Sequence, residues 1–233
     1  YEQWDGQIST YAEKYGLRYI NLLNVSDEIG LDMQTDTYDA IRAVEDTLGR
    51  RIPLHHCANT GAVALYPETY MDMVRPGLLL YGCGEFAKEL GLRPVMTLKA
   101  AINTIKTYDE GTDISYGRLY RTSGRTRIGV IPYGYADGFF RCLSNRCSIM
   151  TDSGPAPQRG RICMDMSMID LTDLPDVGVG DEVEIFGENN RVEELAAIAG
   201  TIPYELVCAV SKRVPRVYIR NGQEIGRELL LRF

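Results

Sequence analysis

Metal-ligand patterns are scarce in this chain of 233 residues. It has only two histidines, and none of its six cysteines forms a CxxC pair or another spacing typical of a zinc site. A disulfide framework is equally unsupported, because such frameworks belong to short secreted chains. We therefore expect no metal site and six reduced thiols, at Cys57, Cys83, Cys142, Cys147, Cys163 and Cys208.

Long basic and long apolar runs are also missing. The formal net charge of -7 repels nucleic acid and anionic membranes. No apolar stretch approaches the ~20 residues that span a bilayer, and the first residues lack the basic-then-apolar pattern of a signal peptide. These features predict a cytoplasmic protein that contacts neither nucleic acid nor membrane. Because the sequence opens on Tyr1 without an initiator methionine, we expect it to be a piece of a longer protein.

The first third of the sequence alternates strand and helix patterns. Apolar residues recur at helical spacing over Thr37–Leu48, and Gly49 follows as a stop. Short strands are predicted at Leu17–Val25, Ile52–His56 and Met73–Tyr81, with a short helix at Thr60–Tyr66 between the last two. This rhythm predicts that residues 1–82 form the closing part of a (β/α) barrel.

Beyond Gly82 the pattern changes to short strands separated by turn residues. Two helices interrupt it, one at Val192–Ala199 before Gly200 and one at Pro203–Lys212. The sequence therefore predicts a mainly β domain with two short helices over residues 83–233. Its predicted strands are Val95–Thr107, Arg127–Pro132, Arg146–Thr151, Gly160–Met164, Ser167–Leu171, Asp181–Phe186 and Arg216–Ile219.

Several polar and aromatic residues stand out, and each alone is a weak signal, since Tyr116 is by default an aromatic beside a turn. Arg75 is less ordinary, because a charge at the start of an apolar run needs a partner. The ordered combination is specific. It comprises His56-Cys57-Ala58-Asn59-Thr60, Arg75-x-Gly77-x-x-x-Tyr81-Gly82, Ser115-Tyr116-Gly117, Gly134-Tyr135-Ala136-Asp137-Gly138, Gly160-Arg161-Ile162-Cys163-Met164-Asp165, Tyr204-Glu205 and Arg213-Val214-Pro215-Arg216.

These motifs, in this order and spacing over about residues 52–219, resemble the alanine racemases. The resemblance implies an enzyme that interconverts L-alanine and D-alanine for peptidoglycan synthesis, built on a TIM barrel and dependent on pyridoxal 5'-phosphate (PLP). In the family PLP stabilises the carbanion left when the α-proton is removed, and two bases serve the two faces of the α-carbon. Tyr116 matches the tyrosine base by its Ser-Tyr-Gly setting. A phenol ordinarily titrates near ~10, so a phenolate base needs neighbouring positive charge or hydrogen bonds.

The resemblance also assigns cofactor contacts. Arg75 matches the arginine that faces the ring nitrogen of PLP, and because a guanidinium only donates, that nitrogen stays unprotonated. His56 resembles the imidazole that is hydrogen-bonded to this arginine. The phosphate is expected to meet mainly neutral donors. The full set of implied cofactor-binding residues is His56, Asn59, Thr60, Arg75, Gly77, Leu78 and Tyr204, with Tyr116, Arg75 and His56 counted as catalytic.

A narrow substrate entrance is implied as well, suited to a small amino acid. In the family the entrance and the tyrosine base are presented by the β domain of one subunit to the barrel of the other. The resemblance therefore implies a homodimer with shared active sites. The residues that resemble the entrance are Tyr135, Arg141, Cys163, Met164 and Asp165.

The sequence departs from the family at three points. The arginine that approaches the substrate carboxylate in an earlier segment of the family is missing. The cofactor lysine of the family lies in a Lys-Ala-Asn/Asp-Ala-Tyr-Gly motif, and none of the five lysines here, at Lys14, Lys88, Lys99, Lys106 and Lys212, has that setting. Leu22 occupies the position of a family histidine that assists the tyrosine. We therefore expect this chain alone to be inactive, with racemisation confined to the parent protein.

Two other functions remain open from the sequence. A serine racemase domain of the vancomycin-resistance type resembles alanine racemase across the same motifs. Tyr204 favours alanine, because a phenol beside the substrate side chain leaves little room for a hydroxymethyl group. The second alternative is a non-catalytic, racemase-like structural or partner domain.

Overall fold

The computed structural model describes residues 31–231, with side chains from residue 39 onward. The described residues form two compact units. The first holds residues up to 81 together with 86–92, and the second holds 82–85 together with residues from 93 onward. The chain thus first changes unit next to the predicted boundary at 82/83. The predicted strand Leu17–Val25 lies outside the described residues.

Helices dominate the described part of the first unit. Helix α1 covers Leu31–Leu48 and contains the predicted segment Thr37–Leu48. Ile41 and Val44 are buried three residues apart, as an amphipathic helix requires, and Gly49 follows with φ +61°. Helix α2, Thr60–Leu65, begins where the Asn59 side chain accepts a 3.0 Å hydrogen bond from the Ala62 amide. Short 3-10 helices lie at Pro67–Thr69 and Gly77–Tyr81.

The predicted strands Ile52–His56 and Met73–Tyr81 are wrong as strands. Residues 54–59 have no regular secondary structure, and Gly77–Tyr81 is a 3-10 helix. Two backbone hydrogen bonds join the segments, from Asp72 N to His55 O and from Arg75 N to Ala58 O. Their spacing is three residues on each side, whereas donors in a regular parallel ladder recur every two residues. The apolar pattern therefore identified buried segments but not their pairing.

The second unit is mainly β, as predicted. A seven-stranded sheet has the order β1-β9-β6-β7-β8-β5-β2, and all its paired strands are antiparallel. Two further sheets, β3-β4 and β10-β11, have two strands each. The strands are β1 Leu98–Ala101, β2 Thr104–Tyr108, β3 Asp113–Ile114, β4 Tyr120–Arg121, β5 Thr126–Ile131, β6 Ser148–Thr151, β7 Gly154–Arg159, β8 Ser167–Asp170, β9 Glu182–Phe186, β10 Arg216–Arg220 and β11 Gln223–Glu228.

The large sheet curls until its two end strands meet. The predicted strand Val95–Thr107 is in fact two strands, β1 and β2, separated only by Ile102 and Asn103. The Ile102 amide binds Asp181 O beside β9, whereas the Asn103 amide binds Val130 O in β5. The sheet encloses a core whose fully buried members include Ile102, Ile128, Ile131, Ile149, Ile169, Leu171 and Ile185.

Two short helices complete the second unit. Helix α3, Val192–Ala199, has the predicted bounds and ends at Gly200 with φ +76°. Helix α4, Pro203–Ala209, starts on the predicted proline but ends before Lys212. The Arg216 guanidinium donates to the carbonyls of Val210, Ser211 and Val214, which supports a non-helical path after Ala209. Over the described residues, no helix combines the length and apolar character needed to cross a bilayer.

Gly160–Met164, predicted as a strand, is not one. Its amides and carbonyls bind loops and side chains instead of a neighbouring strand. Gly160 N donates to Asn145 Oδ1 at 2.6 Å, and Ile162 N donates to Ser144 Oγ at 3.0 Å. This segment forms a wall of the cavity described next.

Candidate active site

A cavity of about 530 Å³ opens in the second unit. Three segments far apart in the sequence line it: the turn at Tyr116, the region from Tyr135 to Arg141, and residues 161–166. It brings together Tyr116 and every residue predicted for the substrate entrance. Its lining residues are Tyr116, Tyr135, Arg141, Arg161, Ile162, Cys163, Met164, Asp165 and Met166.

The turn that carries Tyr116 has an unusual backbone. Ser115 has φ +66° and ψ -179°, a combination that is essentially restricted to glycine. Gly117 and Arg118 follow with φ of +70° and +51°. Such strain costs about 1–3 kcal/mol per residue and persists only where the surroundings impose it. The turn therefore presents Tyr116 in a defined place at the cavity, where the residue is 73% exposed.

The surroundings that impose this turn are the residues of the 160–163 segment. Ser115 Oγ donates to Arg161 O at 2.7 Å and lies 3.6 Å from Cys163 Sγ. A Cβ on Gly160 would lie 2.7 Å from both Ser115 Cβ and Ile114 O, so only glycine fits there. The Arg161 guanidinium lies beside Gly117, with its Nε 3.1 Å from the position of a Cβ on that glycine. A positive charge thus lies next to the residue that follows Tyr116.

The Gly134–Gly138 motif packs backbone to backbone on the same segment. The amides of Tyr135 and Ala136 donate to the carbonyls of Cys163 and Met164, each at 2.9 Å. A Cβ on Gly134 would lie 2.4 Å from those carbonyl oxygens, which explains the glycine. The motif therefore holds Tyr135 on the cavity wall through contacts with the main chain of residues 163 and 164.

Arg213 joins two of the motifs. Its Nε donates to Asp137 Oδ1 at 2.7 Å and its Nη2 to Asp165 Oδ1 at 2.6 Å. These hydrogen bonds to Asp137 and Asp165 raise the pKa of the guanidinium above its usual range. Asp137 is buried and also accepts from Gly134 N at 2.9 Å. The position of Asp165 in the cavity is thereby tied to the buried part of the Gly134–Gly138 motif.

The predicted catalytic residues of the first unit form a separate group. Arg75 Nη2 donates to Cys57 O at 3.0 Å, and the Arg75 amide donates to Ala58 O at 2.9 Å. Arg75 Nε and His56 Nδ1 are both buried without a hydrogen-bond partner. The predicted hydrogen bond between His56 and Arg75 is not formed in the described structure, because the guanidinium is directed at the Cys57 carbonyl.

These residues fit a phosphorylated pyridine cofactor. A buried polar atom without a partner is costly unless a ligand supplies one, and both Arg75 Nε and His56 Nδ1 are in that state. Thr60 Oγ1 lies 3.0 Å from Pro76 O, so its hydroxyl is next to Gly77, which has φ +52° and exposes its backbone. Among the described residues, no group of His, Cys, Asp or Glu side chains could hold a metal ion.

The remaining predicted cofactor residues have less distinctive surroundings. The Asn59 side chain is engaged in capping α2, and Leu78 is buried in the 3-10 helix Gly77–Tyr81. Tyr204 lies on α4 and is 38% exposed. Its predicted contact with the cofactor phosphate stays a prediction. Leu22, at the position of the family histidine, lies outside the described residues.

Sequence reasoning missed three lining residues, Arg161, Ile162 and Met166. Arg161 and Ile162 belong to the Gly160–Asp165 motif, so that motif carried the signal. Ile162 is only 1% exposed and forms the floor of the cavity. Nothing in the sequence pattern indicated Met166.

Known proteins resemble the chain in both units. The family model of the alanine racemase N-terminal domain matches residues 21–85, and that of the alanine racemase C-terminal domain matches residues 95–218. "Alanine racemase 1" of Clostridium acetobutylicum is 45% identical over 183 residues, which are 75% of this chain and 47% of that protein. An alanine racemase of Clostridium tetani is 39% identical over 95% of this chain and 55% of its own length. The chain spans about half the length of the curated relatives it matches.

Solved structures agree. The alanine racemase of Clostridium difficile 630 in complex with cycloserine has a TM-score of 0.84 and 34% identity, over 97% of this chain and 64% of that one. The alanine racemase of Bacillus anthracis with bound L-Ala-P has a TM-score of 0.77 and 29% identity, over 87% and 55%. These likenesses confirm the predicted fold class, the closing part of a (β/α) barrel followed by a mainly β domain. The chain therefore belongs to the alanine racemase family.

Proposed function

We propose that this chain is part of a PLP-dependent racemase that interconverts L-alanine and D-alanine and so supplies D-alanine for peptidoglycan. The observation that carries the proposal is the cavity that joins Tyr116 to Tyr135, Arg141, Cys163, Met164 and Asp165. Six residues chosen for one chemistry come from three distant segments. A structural role for each motif separately would not require them to share a cavity.

The proposed chemistry divides between two faces of the substrate. Racemisation removes the α-proton from one face and returns a proton on the other, so each direction needs a base and an acid. Tyr116 serves one face, held there by the strained turn at Ser115. The other face is served by the cofactor lysine of the family, to which no lysine in this sequence corresponds. PLP, when bound, supplies the electron sink for the α-carbanion.

Arg75 and the Thr60 region would hold the cofactor. Arg75 Nε is a buried donor without a partner, and a guanidinium at the ring nitrogen donates a hydrogen bond without giving up its proton. Arg75 would thereby leave the ring nitrogen of bound PLP unprotonated, which would limit carbanion stabilisation to what reversible proton transfer needs. Thr60, Gly77 and Leu78, with Tyr204 and Asn59, would meet the phosphate.

The charges at the cavity suit a small zwitterion. Arg141 and Arg161 attract a carboxylate, and Asp165, held by Arg213, attracts an ammonium group. We also propose a homodimer with shared sites. All six cysteines are free, which fits the reducing cytoplasm where we place the protein.

The test is a substrate assay on the full-length protein saturated with PLP. We expect L-alanine and D-alanine to be racemised with equal kcat/KM values, because the equilibrium constant between the two enantiomers is one. Turnover of L-serine should be much slower. If serine were turned over faster than alanine, the protein would be a serine racemase and the proposed substrate would be wrong. PLP binding without turnover of either amino acid would support the non-catalytic alternative and contradict the proposal.

A further inference from the structure

The first unit contains a histidine, His55, that the proposed mechanism does not use. Its ring is only 11% exposed and lies between two carboxylates. His55 Nε2 is 2.8 Å from Glu45 Oε1 of α1, and Nδ1 is 3.4 Å from Asp72 Oδ2. Both ring nitrogens therefore face an acceptor, on opposite sides of the ring.

The same histidine aligns the two segments that carry His56 and Arg75. Its amide donates to Asp72 Oδ2 at 3.0 Å, and the Asp72 amide donates back to the His55 carbonyl at 3.2 Å. Three residues further along both segments, the Arg75 amide donates to Ala58 O at 2.9 Å. The His55–Asp72 pair is thus one of two backbone connections that set the register between His56 and Arg75.

The number of protons on the His55 ring determines whether it can donate to both Glu45 and Asp72. A neutral imidazole has one N–H and one lone pair, so it donates to one carboxylate and presents a lone pair to the other. A charged imidazolium donates from both nitrogens and satisfies Glu45 and Asp72 together. Because a carboxylate oxygen lies 2.8 Å from Nε2 and another lies 3.4 Å from Nδ1, only the charged ring has a proton for each of them.

The charged groups around the ring set the pH window. Within the part of the chain that the structure describes, Glu45 faces it from α1, Asp72 faces it from the turn at Met71–Asp72, and Arg51 lies 3.5 Å from Asp72. Burial raises the pKa of Glu45, but the Ile52 amide and His55 outweigh it, so this pKa lies below its usual value. The Glu45 carboxylate therefore keeps its charge until the pH falls through that lowered value.

We propose that His55 is a pH-dependent positioning residue, whose protonated ring clamps Glu45 and Asp72 and so holds the His56 and Arg75 segments in register for the cofactor. Its effect on PLP rests on the proposed function. Because linkage is reciprocal, bound PLP would in turn hold the His55 proton more tightly by the same factor.

The experiment compares PLP affinity in the full-length protein and its His55→Gln variant across pH 5 to 9. Gln has a similar reach but never carries charge. The dissociation constant of PLP is followed by its absorbance, and the ratio of variant to parent at each pH removes every titration that the two proteins share. Glu68→Gln, at an exposed position of the 3-10 helix Pro67–Thr69, is the matched control.

We expect the variant to bind PLP about fivefold more weakly at pH 5.5 to 6, with the ratio falling toward one as the pH rises. The fall should coincide with loss of the second ring proton of His55, read by 15N NMR of the imidazole. Glu68→Gln should give a ratio near one throughout. Should His55→Gln fail to fold, Asp72→Asn keeps the acceptor for the His55 amide and should flatten the same pH dependence.

The outcomes separate the two claims. If the parent binds PLP and the ratio stays constant with pH, His55 is merely structural and this role is overturned, while the proposed function stands. If the parent binds no PLP at any pH, the proposed function is overturned, and the role of His55 with it. A neutral ring over the whole range would also overturn the clamp.

Discussion

At the scale of single residues, the site depends on Ser115 adopting a backbone conformation that serine normally avoids. The hydroxyl offsets part of that strain by its 2.7 Å hydrogen bond to Arg161 O. The φ of +66° and ψ of -179° place the side chain of Tyr116 at the cavity rather than along a strand. The strained backbone and the hydrogen bond that holds it in place therefore belong to the same residue, Ser115.

Substituting Ser115 separates these two effects. Ser115→Ala keeps the strain and loses the hydrogen bond, so we expect a loss of about 1 kcal/mol in the free energy of unfolding. Ser115→Gly also loses the hydrogen bond but relieves about 1–3 kcal/mol of strain. The glycine variant should therefore be the more stable of the two in chemical denaturation. At Ser153, which has no positive φ, the order should not favour glycine. A glycine variant less stable than the alanine variant at Ser115 would refute the strain.

The candidate residues were predictable where a motif marked them. Tyr116, Tyr135 and Cys163 stand in motifs whose order resembles a known family, and the cavity unites them. His55 was not predictable, because its significance depends on Glu45 and Asp72 lying on opposite sides of its ring. Such a relation arises from folding and leaves no local pattern. The orphaned atoms of His56 and Arg75 are likewise visible only in three dimensions.

At the scale of elements, the second unit is assembled by close approaches of main chain. Gly138 has φ +112°, and a Cβ there would lie 2.5 Å from the carbonyl oxygen of Ala209, the last residue of α4. The Asp137 carbonyl accepts from the Ser211 amide at 3.0 Å in the same region. The motif that holds Tyr135 is therefore packed against the end of the helix that carries Tyr204.

Gly138→Ala should consequently be severe. Both the positive φ and the 2.5 Å approach oppose a methyl group, so we expect a loss of about 3 kcal/mol or more in unfolding free energy. Gly222→Ala is the control, since Gly222 has φ +75° but open space around its Cβ position. There the loss should be about 1 kcal/mol. Equal losses at the two positions, measured by denaturation, would show that the close approach is not present.

Secondary structure was predictable where local chemistry determines it. Helix α3 has its predicted bounds because Gly200 ends it, and Pro203 starts α4 as a proline at the first helical position does. Strand β7 was missed because Pro155 and Pro157 argue against a strand. Strand β7 tolerates these prolines because β8 pairs only with Gln158 and Arg159. On the β8 side, Pro155 and Pro157 therefore have no partner strand that would need their missing N–H groups. Pairing of this kind is a tertiary property.

At the scale of the whole molecule, the proposed homodimer would share each active site between two subunits. The tyrosine of one subunit and the cofactor lysine of the other would form each site. The resemblance implies this sharing, in which the second unit of one subunit would serve the first unit of the other. A shared site gives a distinctive result when two inactive variants are mixed.

Co-expression of full-length Tyr116→Phe subunits with subunits lacking the cofactor lysine should restore racemisation. Random pairing makes half of the dimers mixed, and each mixed dimer has one native site, so activity should reach about a quarter of the parental level. Each variant alone should be inactive. No recovery in purified mixed dimers, tagged differently on the two subunits, would contradict shared sites and place Tyr116 and the lysine in one subunit.

The central claim, that Tyr116 is the base on one face of the substrate, is tested most directly by Tyr116→Phe in the full-length protein in deuterated solvent. The ring stays and the phenol is lost, so PLP absorbance should not change. Racemisation should fall by about 10²–10⁴ in both directions, because each direction needs both groups. Exchange of the α-proton for deuterium should persist for the one enantiomer that faces the lysine. Racemisation near the parental rate, or exchange lost equally for both enantiomers, would contradict the account.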